Sequence, residues 1–189
     1  MAIITMTRHL DFDQFLREQN AGKAERGNLV DRKAQWLEKI QILYATVQEI
    51  LFPYIERGAM GVRVSSMELR EELLGSYEVP SLNIDLGNSS VRFVPVGTIL
   101  LGSPGRVDLV GPHGKVRFVL TLPDADRPIL VGSTASEGAR PDKQPKPMDL
   151  AAYVWKVSTS PPLIRYSALD PEALQSAIMD VARGQSARR

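Results

Sequence analysis

One run in this chain leaves its backbone little choice. Trp36, Ile40, Leu43, Val47 and Ile50 recur at steps of 4, 3, 4 and 3, and Leu37, Tyr44 and Leu51 lie a heptad apart beside them. That spacing follows the 3.6-residue period of an α-helix and makes an apolar stripe broad enough to need cover. Asn28 followed by Asp31 resembles a capping arrangement, with a carboxylate near the positive end of the helix. Pro53 offers no N–H to the carbonyl of Glu49 and restricts Phe52, so the helix is expected to stop near Leu51 or to fray out by Gly58. Such a helix must lie against another apolar surface, most simply a sheet.

The sheet announces itself by a change of period. Gly61–Ser65 alternates and predicts a strand; residues 66–75, opened by Ser65 and Glu68 in capping-box order and closed by Gly75, read as a short helix, with an extended stretch as the alternative. Across residues 77–122 the apolar positions alternate with polar ones in five runs, around Leu82–Leu86, Val91–Phe93, Thr98–Leu101, Val107–Leu109 and Val116–Leu122. Glycine-containing turns such as Gly87-Asn88, Gly102-Ser-Pro-Gly105 and Gly111-Pro-His-Gly114 separate them, and Pro95 marks an edge or a strand end. Ile129–Val131, Tyr153–Val157 and Leu163–Tyr166 add short strands, and Asp170-Pro171-Glu172 starts a final helix that ends at Gly184. The fold class expected is α+β: a mostly antiparallel meander of about five to seven strands packed on a long N-terminal helix and a C-terminal helix.

The first 27 residues read as a helical appendage, with a short helix over 11–19 (Phe12, Phe15 and Leu16 on one face) and a loop over 20–28 that holds two glycines. Residues 28–183 form the expected single domain, and 132–149, with three prolines, two glycines and little apolar mass, its mobile loop. A length of 189 residues suits one domain. No 18-residue apolar run is present, and the first ten residues lack the basic-then-apolar order of a secretion signal, so the expectation is a cytoplasmic protein of prokaryotic type.

Composition removes whole classes of chemistry. Without cysteine there is no disulfide, thiolate zinc site, iron–sulfur cluster or thiol nucleophile. The 23 basic and 22 acidic residues leave a net charge of +1, which does not favour nucleic acid or an anionic membrane as partner. His9 and His113 stand in no metal-ligand spacing, so neither a metal nor any other cofactor is expected, and the glycines of 97–105 precede a strand rather than the helix a phosphate cradle needs.

The stretch Gly105-Arg-Val-Asp-Leu-Val-Gly-Pro-His-Gly-Lys-Val-Arg-Phe-Val-Leu120 resembles the hairpin that carries the metal-binding Asp in restriction-endonuclease-like nucleases. The resemblance implies a Mg²⁺ held by two carboxylates with a lysine beside the attacking water. Asp108 matches the first carboxylate. The second half departs from the pattern: positions 117–121 read Arg-Phe-Val-Leu-Thr, Lys115 comes early, and the second acid would have to be Glu71 or Glu72. As plain hairpin residues, Arg106 and Asp108 instead form a charged row on the wet face. Trp155 with Arg165 and Tyr166 suggests an aromatic and basic binding patch or, more simply, core packing. The functional expectation is a protein-interaction module, an adaptor or a neutraliser of another protein, with weak catalytic candidates at Asp108, Glu72 and Lys115 and binding candidates at Arg106, Asp108, Trp155, Arg165 and Tyr166. Homo-oligomerisation stays open, and the alternative is a decayed or unusual endonuclease-like domain around Asp108.

Overall fold

The computed structural model describes residues 4–98, 103–128 and 149–183, with side chains from residue 27 onward. A single helix, α1, runs from Ile4 to Glu56. Fifty-three residues at about 1.5 Å each make it roughly 80 Å long. It passes unbroken through 20–28, where the sequence predicted a loop. Gly22 and Gly27 each weaken a helix by about 1 kcal/mol relative to alanine, but Ala21 before them and Lys23, Ala24, Glu25 and Arg26 between them are good helix formers, and an existing helix propagates through single glycines. At the other end the second expectation holds: α1 carries Pro53 in its last turns and frays out at Gly58. Gly58, at φ 69°, donates its N–H to Ile55 O at 3.0 Å, and Ala59 donates to Tyr54 O at 2.9 Å. This reciprocal pair satisfies two of the carbonyls that the helix end leaves open.

Seven strands follow, each antiparallel to the next and in sequence order across the sheet: β1 (Gly61–Glu71), β2 (Gly75–Asp85), β3 (Ser90–Gly97), β4 (Arg106–Gly111), β5 (Gly114–Thr121), β6 (Val154–Ser158) and β7 (Tyr166–Ala168). Helix α2 (Pro171–Arg183) closes the chain. The fold is therefore α+β, with an N-terminal helix, a seven-stranded meander and a C-terminal helix. The short helix predicted over 66–75 is absent. Residues 66–71 complete β1, paired one to one with β2 from Gly61↔Asp85 to Glu71↔Gly75, and Gly75 takes φ 70° to close the turn. Eleven cross-strand pairs outweigh a local capping pattern. The last short strand lies at Tyr166–Ala168 rather than 163–166, because Thr159 Oγ1 accepts from the Arg165 N–H and donates to Leu163 O, which curls that segment into a turn. Expected strands at 99–101 and 129–131 and the expected mobile loop up to residue 148 lie outside the described residues.

Strand alternation makes one face of the sheet apolar. Leu82, Ile84, Val91, Phe93, Val107, Leu109, Phe118 and Leu120 are buried there with Trp36, Ile40, Leu43, Val47 and Leu51 of α1 and Leu174, Ala177, Ile178 and Val181 of α2. Phe93 packs edge-on against Phe118 at 5.1 Å between centroids. Pro95 falls where β3 has already parted from β2, whose pairing with β3 ends at Leu82↔Phe93. Beyond that point β1 and β2 continue as a two-stranded ribbon. There Tyr77 and Val79, on the opposite pleat from Leu82, are buried as well, as the stronger twist general to two-stranded ribbons allows. Among the described residues no helix is long and apolar enough to cross a membrane.

Candidate functional site

The pleat that sends the apolar residues inward sends their neighbours outward. The outer face is ordered in rows across the strands. One row runs Arg63, Asn83, Arg92, Val110, Lys115 from β1 to β5. The next runs Val94, Asp108, Arg117, Ser158, Tyr166 from β3 to β7. A third holds Arg106, Val119, Lys156 and Ala168. Rows of one strand lie about 7 Å apart and neighbouring strands about 4.8 Å. Arg63, Arg92, Arg106, Lys115, Arg117 and Lys156 thus share one side of the sheet, against the carboxylates of Asp85 and Asp108 and that of Glu71 at the far end of β1.

Asp108 sits at the centre of this side and is only 4 % exposed. Arg106, two residues earlier on the same strand, brings Nε to 3.0 Å from Oδ1; Lys115, diagonally across on β5, brings Nζ to 3.3 Å from Oδ2. The Arg106 contact is ionic rather than an aligned hydrogen bond. Both carboxylate oxygens face cations. Lys156 is held differently, donating to the carbonyls of Pro123 and Ala125. Arg63, Arg92 and Arg117 place their guanidinium groups in no ion pair or hydrogen bond with any described residue.

The structure joins Arg106, Asp108 and Lys115 and leaves Glu72 apart, exposed in the turn between β1 and β2. Glu71, next to it, is committed elsewhere: its carboxylate accepts from the Thr98 N–H at 2.7 Å, from Thr98 Oγ1 at 3.1 Å and from the Tyr77 hydroxyl. Asp85 pairs with Ser90, four residues along β3 from Val94, the partner of Asp108. At ordinary strand spacings that separates the two aspartates by roughly 16 Å. Among the described residues no three His, Asp or Glu side chains come together to hold a cation.

The proposed patch of Trp155, Arg165 and Tyr166 does not assemble. Trp155 points inward, 7 % exposed; its Nε1 donates to Lys39 O at 2.7 Å, and its ring lies 6.0 Å from that of Trp36. It is a core residue, because β6 places it opposite Leu120 on the apolar pleat. Arg165 stands exposed and pairs with Asp126 at 3.5 Å. Tyr166 faces outward on the edge strand β7, and partial burial raises its phenol pKa.

Sequence reasoning missed a second polar cluster, where the end of the β1–β2 hairpin meets α1. Arg32 donates to Thr98 O, Lys33 Nζ lies 4.7 Å from the centroid of the Tyr77 ring, and Tyr77 donates to Glu71. Burial, then the adjacent Glu71 carboxylate, pushes the Tyr77 phenol pKa well up; burial does the same to Tyr44, which donates to Pro80 O at 3.0 Å. No linear motif marks this cluster, since its members come from four separate segments. The outward cations, by contrast, were legible as the polar partners in each alternating run. No protein-family model, curated protein or solved structure matches this chain.

Proposed function

We propose that this protein is a binding module, an adaptor or neutraliser whose open sheet face docks an acidic surface of another protein. The observation that carries the reading is a partition of charge. A chain with net charge +1 collects six cations on one side of its sheet, and Arg63, Arg92 and Arg117 among them have no described counter-ion. Guanidinium groups are weakly hydrated and fork-shaped, which makes arginine the cation most used at protein interfaces. Val110 and Val154, 38 % and 40 % exposed on the same side, supply apolar contact between the charges. A single-stranded nucleic acid would require rings for its bases to stack on. The one aromatic side chain that the described rows carry outward, Tyr166, lies on the edge strand. The alternative, a decayed endonuclease-like hairpin, has weaker support, because Asp108 has a cation at each oxygen.

The test compares the full chain with a variant carrying Arg63→Gln, Arg92→Gln and Arg117→Gln. Titration with poly-L-glutamate and with an oligothymidylate of matched charge, at low and physiological salt, reads the ligand class. The expected result is saturable binding of the acidic polypeptide, weakened at least tenfold in the variant while its melting temperature stays within a few degrees. Tighter binding of the oligonucleotide, or equal binding by the variant, overturns the reading.

A further inference from the structure

Between the first row and the β2–β3 turn, at the end of the sheet that also holds Gly111 and Pro112, the outer face is concave. A cleft of about 750 Å³ opens there, with Asn83 at its floor, Arg63 and Arg92 on opposite sides, and Gly87–Ser90 at one end. We infer that this cleft is the anchor point of the docking surface and seats the side-chain carboxylate of an Asp or Glu from the partner. The inference rests on the reading of the open face given above, and adds where on that face the binding energy concentrates.

Three features of the cleft point to a carboxylate. First, Arg63 and Arg92 flank a single strand: both pair with Asn83, so their Cα atoms stand about 10 Å apart, and both line the cleft. At that spacing two arginine side chains are long enough to bring their forks to one carboxylate between them, whose planar, two-oxygen geometry they match. Second, the floor is already fixed. Asn83 Nδ2 donates to Ser65 Oγ at 2.9 Å and to Arg63 O at 3.4 Å, which holds the amide against β1 and leaves the two arginines as the donors that a ligand meets. Third, the acid in the wall is engaged. Asp85 Oδ1 accepts the Gly87 N–H at 3.0 Å, forming the local turn that sets the end of the cleft, and Gly87 takes φ 84° there. With Arg63, Arg92 and Asp85 the cleft walls carry a net charge of +1, which balances one carboxylate and undercompensates a phosphate dianion. Its volume falls within the range of ligand pockets and exceeds one acidic side chain, leaving space for the residues on either side of it.

Heteronuclear NMR on the full chain, observing backbone amides and arginine Nε–H groups, tests this with two ligands: an acetylated, amidated hexaglutamate peptide and inorganic phosphate. The variants are Arg63→Gln, Arg92→Gln and Arg165→Gln. The last removes the same charge from a residue outside the face. The expected result is saturable hexaglutamate shifts at Gly87–Ser90 and at the Arg63 and Arg92 Nε–H groups. Arg63→Gln and Arg92→Gln each weaken the peptide at least tenfold, whereas Arg165→Gln stays within twofold. Saturable shifts centred on Arg106, Lys115 and Arg117, with Arg63→Gln and Arg92→Gln within twofold of the parent, overturn the anchor and leave the open-face reading standing. No saturable shift anywhere on the face overturns both. Phosphate binding the cleft more tightly than the peptide overturns the carboxylate assignment.

Discussion

At Gly105 a methyl group has nowhere to go: a Cβ would lie 2.5 Å from Trp36 Cζ3 and 2.9 Å from Leu120 Cδ1. The sequence assigns this glycine to a turn. Its larger role is to let α1 bring Trp36 down onto the sheet. Gly105→Ala is therefore expected to destabilise the fold by about 1–3 kcal/mol through overpacking, read as a lower midpoint in urea with unchanged slope. Asp108 makes a complementary case. The sequence singles it out for metal chemistry, and the structure gives it two cations instead, which is a difference no linear pattern could resolve because Lys115 arrives diagonally from the neighbouring strand. Asp108→Ala leaves Arg106 and Lys115 facing each other without their counter-charge. Since the Lys115 side chain is 51 % exposed, water relieves part of this. The expected loss is roughly 1–2 kcal/mol, below the 3–5 of a fully buried broken pair. Double variants with Lys115→Met should recover a fraction of it.

Elements differ in how local their causes are. Helix α2 is written into a few residues: Asp170 Oδ1 accepts the Ala173 N–H at 2.8 Å, Pro171 occupies the first helical position and Glu172 follows. Sequence reasoning reads such a start correctly because every participant lies within three positions. Asp170→Ala is expected to cost about 1 kcal/mol in chemical denaturation. β1 is the opposite case. Ser65 and Glu68 resemble a helix start, but Ser65 Oγ lies 2.9 Å from Ser81 Oγ on β2, and the strand's identity comes from a partner some sixteen residues away. The ribbon it forms is tied back by buried phenols, and this gives the fold an alkaline limit. Tyr44 and Tyr77 have pKa values raised above the unfolded value of about 10. A raised folded pKa means that the unfolded chain loses these protons first. Their contribution is intact below pH about 10 and declines as the pH climbs above it. Tyrosinate absorbance of these two side chains should appear together with loss of secondary structure, and Tyr44→Phe should make the alkaline decline shallower.

For the molecule as a whole, the sheet has two faces of different character. The inner face is satisfied by two helices of the same chain, whereas the outer face presents arginines that find no described counter-ion within it. A long helix couples the two, since it supplies the core from Trp36 to Leu51 and also fixes the end of the hairpin through Arg32 and Lys33. That dependence defines how much of α1 the domain requires. Everything α1 gives to the described core lies C-terminal to residue 31, and a helix is held in a protein by its packed face far more than by its own propensity. A chain beginning at Asn28 retains Arg32, Lys33 and the full stripe, together with Asp31 near the new helix start, where a carboxylate is favourable. It is expected to fold cooperatively, with a melting temperature within about 5 °C of the parent, a small change on the scale of a domain this size. A chain beginning at Gln35 loses the anchors of the hairpin while keeping the stripe. It should show faster amide exchange at Thr98 and along residues 66–79 than the chain beginning at Asn28, with exchange at Phe93 and Phe118 much less affected. Equal acceleration at all these sites would show that the hairpin end and the central core open as one unit. Unfolding of the chain beginning at Asn28 would place essential packing in the first 27 residues.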